Sequence, residues 1–114
     1  MNDMTLNTLP QGAERRDDGA VRYTFSEPAT LPSTNGGEDR VLTELVIRKP
    51  LSGDLIDAGT DDNKALFSFN LLCALSGQTD AIGKSLMRRL APRDYLACQS
   101  VVAAFFNNGQ TTGL

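Results

Sequence analysis

The stretch Gly77-Gln-Thr-Asp-Ala-Ile-Gly83-Lys84-Ser85 ends in the Gly-Lys-Ser triplet with which a phosphate loop grips a nucleotide. In such a loop the backbone amides cradle the phosphates and the lysine reaches the terminal ones. The chemistry requires four residues between the first glycine and the Gly-Lys pair, whereas Gln78 to Ile82 make five. It also requires a strand ahead of the loop, and Gly77 instead follows the helical run "ALFSFNLLCALS". Asp80 would place negative charge where phosphates need positive potential. The segment reads instead as a helix C-cap at Gly77 followed by a short helix capped by Thr79.

Other catalytic chemistry is equally short of parts. The chain has no histidine, so Ser-His or Cys-His activation of a nucleophile is excluded. Cys73 and Cys98 each fall inside an apolar helical pattern and read as two buried thiols. Without histidine they do not make a zinc site. The carboxylates Asp54, Asp57, Asp61 and Asp62 cluster where helices begin and end, which capping and solvation explain. Lys84, Arg88, Arg89 and Arg93 form a local basic group, suited to a solvated face or to an acidic partner segment. No enzyme, no cofactor and no metal are expected. The net charge of −3 argues against nucleic acid as the main partner, because phosphate binding needs a basic face. No apolar run is long enough to span a bilayer, and "MNDMTLNTLPQ" lacks a signal-peptide pattern, so a cytoplasmic protein without a membrane partner is expected.

The elements that must position these residues follow from periodicity. Residues 1–19 are polar and aperiodic and read as a flexible arm. Val21, Tyr23 and Phe25 alternate with polar residues in a first strand, interrupted by Glu27-Pro28. Asn35-Gly36-Gly37 supplies the residue types that accept positive φ in a hairpin. In a second strand Val41, Thr43, Leu45 and Ile47 share a face, with Glu44 and Arg48 opposite, and Pro50 stops the pairing. The period then becomes helical. A short helix at "LSGDLIDAG" has Ser52 as N-cap, Asp54 in its first turn and Gly59 at its exit. A longer helix over about 62–76 is capped by Thr60 or Asp61. A last helix over about 92–107 starts at Pro92, with Asp94 near its positive end. The fold class is thus α+β: an N-terminal β-hairpin (about 20–49) followed by a small helical domain of three to four helices (about 52–107). Residues 20–107 make one domain, and 108–114 form a flexible tail.

Two helices differ on the wheel. Tyr95, Cys98, Val101, Val102, Phe105 and Phe106 fall within an arc of about 140°, an ordinary core stripe. The 62–76 helix carries two stripes: Leu66, Phe69, Leu72 and Cys73 on one side, and Phe67, Leu71, Ala74 and Leu75 on the other. A helix apolar on two sides is either central to its own domain or shared with a partner. So few elements favour the partner. Phe67, Leu71 and Leu75, joined by Phe105 and Phe106, are therefore the candidate partner-binding surface.

The order of these features resembles the tail assembly chaperones of Mu-like phages and prophages. Family members carry T-L-x-x-P on a first strand, L-x-L-R-x-P-x-x-G-D-L on a second, then L-x-G and a terminal L-x-x-x-D-Y helix. Leu45, Ile47, Arg48, Pro50, Gly53, Asp54 and Leu55 match the second element, and Leu75, Gly77, Leu90, Asp94 and Tyr95 match the later ones. In the first element, Thr24 to Pro28 puts Phe25 where leucine is usual. The match spans roughly residues 21–107. It implies a binding protein of the bacterial host cytoplasm, absent from the mature virion. Such proteins coat the apolar, helical tape-measure protein until tail tube protein polymerises around it, and self-association is expected. Some relatives also have a longer, frameshifted product. A structural or tail-completion component of the phage tail is the alternative.

Overall fold

The computed structural model describes residues 9–59 and 63–113. Three strands, β1 (Ala13–Arg15), β2 (Val21–Leu31) and β3 (Arg40–Ile47), form an antiparallel sheet in the order β1-β2-β3. Four helices follow: α1 (Ser52–Ala58), α2 (Lys64–Ser76), α3 (Ala81–Met87) and α4 (Pro92–Gly113). This is the α+β arrangement of hairpin and then helices that the periodicity predicts. One apolar core joins Val21, Tyr23, Phe25, Leu45 and Ile47 of the sheet to Leu72, Met87, Cys98 and Val101 of the helices.

Several boundaries differ from the sequence reading. Part of the expected N-terminal arm is β1, paired with β2 through Ala13 opposite Tyr23; residues 1–8 lie outside the described residues. The signal for β1 is the Asp18-Gly19 pair, a hairpin dipeptide. The Gly19 amide donates to the Arg16 carbonyl at 3.0 Å, and Asp18 accepts from the Ala20 amide at 3.0 Å. Gly12 precedes β1 at φ 96°, and a Cβ there would come within 3.1 Å of the Thr24 carbonyl oxygen, so glycine is required. Strand β2 does not stop at Glu27-Pro28. It continues to Leu31 across a break in register between Thr24 and Ala29, where residues 25–28 stand against Thr43 of β3. Pro28, with no amide hydrogen, sits in that irregular stretch.

Helix α1 begins at Ser52 with Leu51, not Ser52, in the capping position. Helix α2 is capped by Asn63, whose side chain accepts from the Leu66 amide at 3.1 Å; Thr60 and Asp61, the expected caps, lie outside the described residues. Asp80 rather than Thr79 caps α3, accepting from the Gly83 amide at 2.7 Å. The tail expected from residue 108 is helical backbone through Gly113. Gly77 ends α2 in the left-handed conformation at φ 77°, the expected C-cap. Gly83, Lys84 and Ser85 lie inside α3, where no loop of free amides exists to hold a phosphate. Gly83 is glycine for packing, since a Cβ there would meet the Gln78 and Asp80 side chains at 2.7 and 2.8 Å.

Both cysteines are free and buried, as expected. Burial raises the Cys73 thiol in spite of Lys84 and Arg88 nearby, and burial together with the Asp94 charge pushes Cys98 up to about 12. Neither supplies a thiolate near neutral pH.

Candidate interaction surface

The five residues assigned to a partner surface divide in two. Leu71 is 4% exposed and Leu75 is 1% exposed, and both belong to the core. Their assignment is corrected: α2 packs against α1, β3, α3 and α4, so both its stripes are covered within the domain. Helix α2 is central to its own fold. Phe67, Phe105 and Phe106 are half-buried at the margin of that core. The guanidinium of Arg15 lies 6.0 Å from the Phe105 ring centre, so the β1 cation partly covers that ring. The opposite side of α4 leaves Leu96 64% exposed.

Apolar surface that the wheel did not single out lies on α1. Leu51 is 70% exposed, Leu55 39% and Ile56 75%, on a seven-residue helix held by the joint that precedes it. Arg48 and Asp54 make that joint. The Arg48 guanidinium grips Asp54 with both arms, Nη1 to Oδ2 at 2.8 Å and Nη2 to Oδ1 at 2.6 Å. The same carboxylate accepts from the Leu51 amide at 2.7 Å, while the Asp54 amide donates to the Leu51 carbonyl at 2.9 Å. Behind it, the Arg48 amide donates to the Leu75 carbonyl at 3.0 Å, satisfying one of the last carbonyls of α2. One arginine thus ties the end of β3 to the start of α1 and the end of α2. Pro50 lies in the connecting turn and is half-buried. Gly53 is different, since a Cβ there would meet nothing within 4 Å; the fold does not require glycine at that position.

The Arg48 fork, followed by the Leu51 amide, holds the Asp54 carboxyl down at about 2. A carboxylate depressed in this way stabilises the fold above its ordinary range near 4, and the contribution disappears as the pH falls toward 2. Asp54→Ala should therefore cost about 1–2 kcal/mol at pH 7, a value kept modest because half of the Arg48 side chain remains in water. Urea melts at pH 7, 4 and 2 check this. The gap between wild type and variant should be full at pH 7 and close by pH 2.

Asp94 does more than complement the helix dipole. It is fully buried, and its carboxylate accepts from the Tyr23 hydroxyl at 2.7 Å, the Ser26 amide at 2.9 Å, the Ser26 hydroxyl at 3.1 Å and the Glu27 amide at 3.3 Å. Burial alone would raise its pKa, but these donors hold it below the ordinary carboxylate range. Burial, helped by Asp94, pushes Tyr23 up to about 12. The amides that the break in β2 withdraws from pairing are thus satisfied by α4. A helical-wheel signal existed, because Asp94 stands four and seven residues before Cys98 and Val101 on the buried stripe. Tyr95 is half-buried, and its hydroxyl oxygen accepts from Gln99 Nε2 at 3.0 Å.

Two surface depressions flank the start of α4. One, of about 520 Å³, runs between Gly12, Tyr23, Thr24 and Ser26 on one side and Arg93 and Ala97 on the other. The second, of about 330 Å³, is a notch lined by Phe69, Met87, Arg88, Leu90, Pro92 and Tyr95. The Arg88 guanidinium stands 4.9 Å over the Phe69 ring, a cation–π contact at the rim. Among the described residues there is no cluster of three or more potential metal ligands, and no helix is long and apolar enough to cross a membrane. What the arrangement offers is apolar side chains edged by charge. No protein-family model, curated protein or solved structure matches the chain.

Proposed function

We propose that this chain is a tail assembly chaperone of the Mu-like type, holding the tape-measure protein in the bacterial host cytoplasm until tail tube protein replaces it. The ordered sequence resemblance over residues 21–107 suggests the reading. The observation that carries it in the structure is the uncovered apolar surface of α1 and α4, with Leu51, Ile56 and Leu96 each more than half exposed. Single exposed apolar residues are ordinary on any protein; Leu55 and Ile56 on one short helix, with Leu51 just ahead of it, make a patch of the kind that meets other chains.

The mechanism follows from the magnitudes. Each large apolar side chain taken out of water contributes roughly 1.5–3 kcal/mol, and ordering the client offsets part of that. Two or three anchors per copy give contacts that are individually weak and cumulatively strong along a long client. Growing tube protein can then displace them one at a time.

The test is co-expression with the tape-measure protein of the same phage or prophage. The soluble tape-measure fraction should rise severalfold, with this chain co-purifying. Mass spectrometry of finished particles should find the chain missing. An unchanged insoluble client would end the chaperone reading, and stoichiometric retention in particles would make the chain a structural tail component instead.

A further inference from the structure

The charges of this chain are unevenly divided. Residues 1–62 carry twelve Asp and Glu against six Lys and Arg, whereas residues 63–114 carry two against five. Both acids of the second part have hydrogen-bond partners within the fold: Asp80, exposed, caps α3, and Asp94 is buried beneath β2. The cations Lys84 on α3 and Arg88 at its C-cap, one turn apart, make no ion pair with any described residue, and Arg88 forms the rim of the apolar notch beside Phe69. On α1 the pattern is inverted. Leu55 and Ile56 project into solvent, followed at once by Asp57, which is exposed and likewise has no ion-pair partner among the described residues.

We infer that these two surfaces are complementary, and that α1 of one copy docks in the α2–α3–α4 notch of the next. Ile56 is the apolar anchor, and Asp57 faces Lys84 and Arg88. The notch, at about 330 Å³, suits one or two aliphatic side chains and is small for a cofactor. Gly53, three residues before Ile56, leaves bare backbone beside the anchor. The fold gives no reason for glycine there, but a close approach of two main chains does. The contact joins two different patches, so each copy offers a free patch to a further copy, and assembly proceeds head to tail unless it closes into a ring. An interface resting on so few anchors is weak and salt-sensitive. The inference does not depend on the identity of the client, but it uses the Ile56 side chain that the chaperone reading also offers to the client, so the two contacts compete for α1.

The experiment is analytical ultracentrifugation of the full chain from 10 to 500 µM, at low and high salt, with two variants. Ile56→Ser removes the anchor and leaves the notch; Lys84→Glu with Arg88→Glu reverses the rim and leaves the anchor. Circular dichroism melts verify that each variant folds, and Lys84→Glu alone serves if removal of the Arg88 cation from Phe69 unfolds the double variant. Wild type should grow in mass with concentration and revert toward monomer in high salt. Each variant alone should lose association by about tenfold or more. Mixed one to one, the variants should form a dimer and nothing larger, because each keeps the patch that the other lacks. Wild type that stays a monomer at 500 µM, variants that assemble as wild type does, or a mixture that forms no dimer would each overturn the inference. A notch that binds tape-measure segments but not a second copy would reassign it to the client.

Discussion

Asp94→Ala is expected to cost about 3–4 kcal/mol, a large share of the stability of a domain this size. The carboxylate accepts four hydrogen bonds, and its loss strands the buried Tyr23 hydroxyl and leaves the part-buried Ser26 and Glu27 donors without their acceptor. An unmade buried hydrogen bond costs about 1–3 kcal/mol, and a domain of this size has only about 5–15 kcal/mol in hand. Asp94→Asn keeps the shape and one acceptor oxygen and should cost less, about 1–2 kcal/mol. Tyr23→Phe removes only a hydroxyl and should cost about 1 kcal/mol. Thermal melts of the three rank the effects. Near-equal losses for Ala and Asn would mean that charge, not the number of acceptors, holds the joint.

The second large effect is expected at Leu71. Leu71→Asp should unfold the domain, because the side chain is enclosed and a carboxylate there has no partner; the penalty is about 4 kcal/mol or more. Phe67→Asp, four residues earlier on α2, should leave a folded protein weakened by roughly 1–2 kcal/mol, since a half-buried side chain can turn its charge to water. Circular dichroism and urea melts separate the two. A stable Leu71→Asp variant would mean that this face of α2 opens.

Much of this architecture was legible in residue order. The β2–β3 hairpin, the four helices and the core stripe of α4 follow from period and turn chemistry. The accidental nature of the Gly-Lys-Ser triplet follows from spacing. Burial of both faces of α2 was not legible, because an all-round apolar helix has no preferred side and only the tertiary arrangement shows how many neighbours it has. The same holds for the break in β2. Its amides are answered by Asp94, 67 and 68 residues away, and no local pattern reports such a pairing. Arg48 and Asp54 were both visible as motif residues, but their contact requires the turn at Pro50 to fold one back onto the other. The exposed face of α1 escaped notice because seven residues are too few for a clear periodic signal.

The tie between Asp94 and the break in β2 also sets an order of events during synthesis. When the ribosome has produced the sheet and the first three helices, the Ser26 and Glu27 amides still await their acceptor, and contacts this far apart in sequence form late. A nascent chain that lacks α4 therefore exposes an unfinished sheet and the core side chains that Cys98, Val101 and Val102 pack against. Translation must pass the last helix before the molecule can close, which leaves stalled or truncated products open to proteolysis.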